Sequence, residues 1–150
     1  NVRDIFLTAM QDADMMYARG IVNVFRGLSS DHKTNTNQKF KIGKKAIKGY
    51  MFRSSMGYLE VGYGFYYSCR ETINDIDRVF KTLDKQKYTP NELVNKINKQ
   101  FKEGELVYQD DFYKIRGFWN GNMHIWFKRE DLLDKANKII SDYYDGIALK

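Results

Sequence analysis

The sequence predicts an α+β fold, rich in helix, with a small antiparallel sheet. Three observations point there. Apolar residues recur at steps of three and four in four long stretches, the mark of amphipathic helices. Between the third and fourth stretch, two strand-like runs flank Asn120-Gly121-Asn122, the mark of a hairpin. No repeat, low-complexity tract or Pro/Gly-rich linker divides the 150 residues, so residues 1–150 read as a single domain. The chain opens inside a helical pattern at Asn1, so it reads as the C-terminal part of a longer protein.

The first helix carries Phe6, Met10, Ala13, Tyr17, Gly20, Val24 and Leu28 on one stripe, and Ser29, Ser30 and Asp31 end it. A polar loop over residues 32–38 follows. Phe40 and Ile42 alternate with Lys39 and Lys41 as in a short strand, and Ala46, Ile47, Tyr50 and Met51 suggest a short helix. The glycine- and tyrosine-rich stretch 57–64 has no clear period. A second long helix spans about residues 66–83, with Cys69, Ile73, Ile76, Val79, Phe80 and Leu83 inward. A third starts at Thr89 as N-cap, with Pro90 in its first position and Glu92 completing a capping box. Leu93, Ile97 and Phe101 line its inner face, and Gly104 is suited to its C-cap. A last helix runs from about residue 130 to 144, with Leu132, Leu133, Ala136, Ile139, Ile140 and Tyr143 inward.

For the hairpin, loop length decides which side chains share a face. A three-residue loop, Asn120-Gly121-Asn122, pairs Trp119 with Met123, Gly117 with Ile125 and Ile115 with Phe127. Tyr113, Ile115, Trp119, Met123, Ile125 and Phe127 then form an apolar face. Lys114, Arg116, Phe118, His124, Trp126 and Lys128 form the opposite one. A two-residue loop mixes the two sets.

The charge is uneven. The formal net charge is +6, yet residues 32–59 hold Lys33, Lys39, Lys41, Lys44, Lys45, Lys48 and Arg53 with no acid among them. Such a block is the footprint of a polyanionic partner. The block has no long apolar stripe, which argues against a membrane surface, and no apolar run approaches the length of a membrane span. The single cysteine, Cys69, excludes an internal disulfide and suits a reducing, cytoplasmic setting.

The outer hairpin face mixes aromatics with cations. Aromatics stack on bases and cations meet phosphates, so Lys114, Phe118, Trp126 and Lys128 join Lys33, Thr34, Asn35, Lys39, Lys41, Lys45, Lys48 and Arg53 as candidate nucleic-acid contacts. The chain has two histidines, His32 and His124, each in polar, basic surroundings. Two imidazoles suffice for RNA cleavage without a metal. One takes the 2′-hydroxyl proton, the other protonates the leaving oxygen, and a cation such as Lys44 or Arg116 stabilises the transition state. Thr34 and Asn35 would orient the substrate. No metal or other cofactor is expected. Two histidines do not complete a zinc site alone, no HxxxH or CxxC spacing supports one, and Asp110-Asp111 and Glu130-Asp131 read as solvated acids. Gly43-Lys44-Lys45 lacks the upstream glycine and following Ser/Thr of a phosphate loop.

The segment "YARGIVNVFRGLSSDHKTN", followed by "FKIGKK", resembles an uncharacterised domain family of phages, plasmids and other mobile elements. The late segment "FYKIRGFWNGNMHIWFKREDLLDKANKII" is similar to the same family. The resemblance covers nearly all of the chain, least clearly over residues 54–86. It points to His32, Thr34, Asn35, Gly43, Lys44 and His124, and implies no established activity. It also implies a neighbour, since members often accompany an adenine-methyltransferase-like domain. That enzyme is not in this chain, which has no glycine-rich cofactor loop and no Asp/Asn-Pro-Pro-aromatic motif. The leading expectation is a nucleic-acid-acting domain of a mobile element, in its sharper form a metal-independent ribonuclease. The alternative is non-catalytic: a DNA-binding accessory of a methyltransferase system, or a phage protein that inhibits a host defence complex.

Overall fold

A computed structural model describes residues 17–28, 41–62 and 68–148. The expected α+β architecture is present. Helix α1 (17–28) precedes strands β1 (Lys45–Lys48), β2 (Phe52–Ser55) and β3 (Tyr58–Val61). Helices α2 (Ser68–Leu83) and α3 (Glu92–Lys102) follow, then β4 (Val107–Gln109), β5 (Tyr113–Gly117), β6 (Met123–Phe127) and helix α4 (Glu130–Ala148). Strands β1, β6, β5 and β4 form, in that order, an antiparallel sheet, while β2 and β3 form a separate hairpin. No helix among the described residues is long and apolar enough to cross a membrane.

One face of the four-stranded sheet is the floor of the core. Ala46, Tyr113, Ile115, Met123, Ile125 and Phe127 point into it and are buried. From α2, Phe80 stacks on Phe127 (centroids 4.9 Å apart, 15° between planes) and meets Tyr113 edge-on at 5.9 Å. From α3, Phe101 sits over Gly117 and meets Phe52 of β2 edge-on at 5.1 Å. The inner stripes expected for α2 and α4 are the stripes observed. Helix α1 buries Ile21, Val22, Val24, Phe25 and Leu28, and its Phe25 meets Tyr144 of α4.

Several local expectations are corrected. Residues 45–48 form a strand, not the expected short helix. Ala and Lys are good helix formers, but pairing of Lys45–Lys48 with Met123–Trp126 overrides that preference. Ile42 is not in a strand. Its N–H donates to Asn137 Oδ1 (2.6 Å) and its carbonyl accepts from Asn137 Nδ2 (3.0 Å), so a buried side chain of α4 takes the place of a neighbouring strand. Lys39 and Phe40 lie outside the described residues. The stretch 57–64, without a clear period in the sequence, holds β3, which pairs with β2 in a hairpin turning at Met56 and Gly57, both at positive φ; residues 63 and 64 lie outside the described residues.

Asn91, not Thr89, occupies the N-cap position of α3, and its side chain makes no capping bond. Asn91 has φ 64°, which asparagine tolerates, and its side chain pairs with Asn74 of α2 (2.9 Å) instead of closing a capping box. The C-terminal expectation stands one residue out: Glu103 is the C-cap and Gly104, at φ 98°, follows it. Gly104 N–H donates to the Phe101 carbonyl and Glu105 N–H to that of Gln100, the paired bonds of a Schellman motif.

The β5–β6 loop has three residues, but they are Trp119-Asn120-Gly121. Phe118 N–H donates to the Asn122 carbonyl and Gly121 N–H to that of Phe118. Gly121 takes φ 95°, the left-handed position that ends such a loop. The pairs are therefore Tyr113 with Phe127, Ile115 with Ile125 and Gly117 with Met123. The shift from the expected register is two residues, so each strand residue keeps its face. Only Trp119 changes place: it is in the loop and 59 % exposed.

A buried polar network ties α2 to β5. Tyr113, with no exposed surface, donates its hydroxyl hydrogen bond to Asp77 Oδ1 at 3.0 Å, and Lys81 Nζ lies 3.1 Å from the same oxygen. Burial, then the nearby Asp77 carboxylate, push the Tyr113 hydroxyl far above the usual phenol range. Burial and Asp110 raise Tyr108 likewise.

Two outcomes are expected. A Cβ at Gly117 would lie 2.6 Å from Phe101 Cε2. Gly117→Ala should therefore destabilise by about 1–3 kcal/mol, and by less when Phe101 is also Leu, as measured in a urea double-mutant cycle. The raised phenols have a sign as well. Unfolded phenols ionise near pH 10, roughly, whereas folded Tyr113 and Tyr108 resist ionisation. Stability should hold below that pH and fall as pH rises past it. The loss in urea midpoint between pH 9 and 11 should be smaller in Tyr113→Phe.

Candidate functional site

With the inward residues of the sheet fixed by the core, the alternation of a strand turns their neighbours outward. Pairing sets these in rows. Lys45, Trp126, Lys114 and Gln109 form one row across β1, β6, β5 and β4; Ile47, His124, Arg116 and Val107 form the next. Phe118 leaves the end of β5 on the same side. Trp126, His124 and Phe118 are half-buried, as rings lying against a sheet, while Arg116 is exposed.

The contacts on this face are between rings and cations. Lys45 Nζ lies 4.9 Å from the centre of the Trp126 ring, and Lys114 Nζ 5.1 Å from it. The Arg116 guanidinium lies 4.7 Å from the Phe118 ring. His124 sits between the two aromatic residues, 4.5 Å from Phe118 and 5.9 Å from Trp126, with planes tilted by 46° and 53°. Three cations thus lie over two rings, Trp126 and Phe118, and His124 sits between those rings. Such a surface offers stacking area for flat groups and positive charge for the anions attached to them.

The expected contact residues separate into groups. Lys45, Lys114, Arg116, Phe118, His124 and Trp126 come together. His32, Lys33, Thr34, Asn35 and Lys39 lie outside the described residues. Lys41 is exposed beside the segment held by Asn137. Lys44 is paired with Glu130 at 3.0 Å, both side chains largely exposed. Lys48 points to the inner side, and its Nζ donates to the Gly27 carbonyl of α1 at 3.1 Å. Arg53 faces Glu60 across the β2–β3 hairpin at 3.6 Å. Lys128 donates to the Asp110 carbonyl at 2.8 Å.

The acids also have structural partners. Asp110 Oδ1 accepts from the N–H groups of Phe112 and Tyr113, and its Oδ2 from the Tyr108 hydroxyl. Hydrogen bonds from Arg129 hold the Asp131 carboxyl down at about 2. No group of three metal-ligating side chains occurs among the described residues. The Cys69 thiol is buried, pushed up by that burial, and donates to the Tyr50 carbonyl at 3.0 Å, so it is a packing residue rather than a nucleophile.

Residues 1–146 match the family described as Domain of unknown function (DUF4942). The chain belongs to this family. No curated protein and no solved structure matches it.

In this DUF4942 chain, sequence reasoning missed Ile47, Val107 and Gln109, which complete the rows. Their signal was weak: β4 has three residues, and β1 reads locally as helix.

The split between tied and face cations is testable. Lys48→Met should lower stability by about 1 kcal/mol, because the last turn of α1 loses a charged donor. Lys45→Met and Arg116→Met should each change it by under about 1 kcal/mol. Thermal unfolding of the three variants measures the difference.

Proposed function

We propose that this protein binds single-stranded nucleic acid on the outer face of its four-stranded sheet. The observation that carries the reading is Trp126 flanked on both sides by lysine, at 4.9 and 5.1 Å. Both ammoniums lie over the ring, so a base that stacks on the indole displaces them from its face and leaves them beside it for its phosphates. The tilts of 46° and 53° along the ring series favour a strand over a duplex. Bases in a duplex are parallel and already stacked, whereas a single strand can turn each base to its own ring.

A sharper form is metal-independent RNA cleavage. It is favoured by the position of His124 on this face, paired across the strands with Arg116. His124 would move a proton, Arg116 would meet the phosphate, and His32 would be the second proton carrier, with Lys44 as a further cation. The proposed setting is a phage or other mobile element, beside an adenine-methyltransferase-like partner, as the resemblance of "YARGIVNVFRGLSSDHKTN" and "FKIGKK" implies.

Labelled single-stranded RNA, single-stranded DNA and duplex DNA, in EDTA, test both forms. Single strands should bind more tightly than duplex. Trp126→Ala should weaken single-strand binding by about 1–3 kcal/mol. Lys45→Ala and Lys114→Ala should each lower the salt slope by about 0.7. Cleavage of RNA alone, lost in His32→Ala and His124→Ala with binding retained, would support the ribonuclease. Binding without cleavage would leave a recognition module. Duplex binding indifferent to Trp126 would overturn the sheet reading in favour of a DNA-binding accessory. Absence of binding to all three would favour a protein partner such as a host defence complex.

A further inference from the structure

Beyond the sheet, two more aromatic side chains are held out into solvent at its hairpin end. Tyr50, between β1 and β2, is 88 % exposed, and Trp119, in the β5–β6 loop, is 59 % exposed. The two turns are packed together through their backbones. Met51 and Phe52 N–H both donate to the Gly121 carbonyl, at 2.9 and 3.1 Å, and a Cβ on Gly121 would lie 3.9 Å from Tyr50 Cα. Tyr50 also has φ 59°, a left-handed conformation that glycine or asparagine adopts at lower cost. A large ring is therefore kept exposed at a position where its backbone is unfavourable. An exposed aromatic held on an unfavourable backbone is an outlier from which a binding role can be proposed.

The tip adjoins the face already described along the chain. Trp119 follows Phe118 directly, and Phe118 is bordered by Arg116 and His124. The geometry points to a second subsite: Tyr50 and Trp119 hold further bases of the same single strand, which runs along β6 from Trp126, past His124 and Phe118, to the tip. This rests on the sheet reading and lengthens its footprint. The occupant is nucleic acid rather than an apolar protein segment, because the track that leads to the tip is lined by cations.

Trp119 and Trp126 are the two tryptophans of the chain, so each can report alone. In Trp119→Phe, emission reports on the sheet; in Trp126→Phe, on the tip. Each variant of the 150-residue chain is titrated with oligothymidylates of four and twelve nucleotides at low salt. The sheet reporter should be quenched by both lengths and the tip reporter most strongly by the twelve-mer. Tyr50→Gly should weaken the twelve-mer about 5- to 100-fold, spare the four-mer, and leave the melting temperature unchanged or higher. A quenched sheet reporter with a tip reporter that stays silent while gel shift shows the Trp126→Phe variant saturated with the twelve-mer overturns the second subsite and leaves the sheet reading intact. A quenched tip reporter with a silent sheet reporter overturns the sheet reading and the continuous track together. Silence of both overturns both. Equal weakening of the two lengths by Tyr50→Gly overturns the assignment of Tyr50 to the tip subsite.

Discussion

Met123, Ile125 and Phe127 point from β6 into the core with almost no exposed surface. Because a strand alternates, this burial obliges His124 and Trp126 to point the other way. β6 is also central, paired with β1 on one side and β5 on the other. Its register therefore sets the neighbours of both outward rings. Lys45 comes beside Trp126 from one strand and Lys114 from the other. Arg116 comes beside His124. The arrangement on the outer face follows from apolar packing on the inner one, through a backbone that cannot turn one side without the other.

This coupling explains why so much of the face was legible in the sequence. The separation of apolar and polar residues in the hairpin assigns each strand residue to its side, even with the loop misplaced by one residue. The error moved the pairing by two, which preserves faces, and it cost only Trp119. The missing signal was glycine chemistry: a left-handed residue closes a three-residue loop, so Gly121 belongs at its end. The long helices were legible for a similar reason, since the stripes of α2 and α4 are wide and regular.

What was not legible depends on partners far away in the chain. Residues 45–48 have helix-forming composition and become a strand because β6 offers an unpaired edge. Asn137 and Asn98 look like ordinary polar residues on helices. In the fold, Asn137 binds both backbone groups of Ile42, and Asn98 accepts the N–H of Val61 at 2.8 Å. Each supplies to the backbone what a further strand would supply. Unpaired buried backbone groups are costly, so these amides fix where Ile42 meets α4 and where the end of β3 meets α3. The division of the basic block is equally non-local. Lys44, Lys45 and Lys48 lie within five residues, yet their partners are Glu130, Trp126 and Gly27.

The sheet ends at β1 on one side and β4 on the other, with no further strand among the described residues. An open strand edge invites a strand from another molecule, which is how soluble chains become fibrous aggregates. Both edges discourage this. β4 offers only three residues, too few for a lasting ladder. β1 is four residues long and carries Lys45 on its outer face, so a like strand laid alongside in register would bring two such charges together. Lys45 thus has a second consequence unrelated to any ligand: it sets a charge on the edge where a like strand would pair.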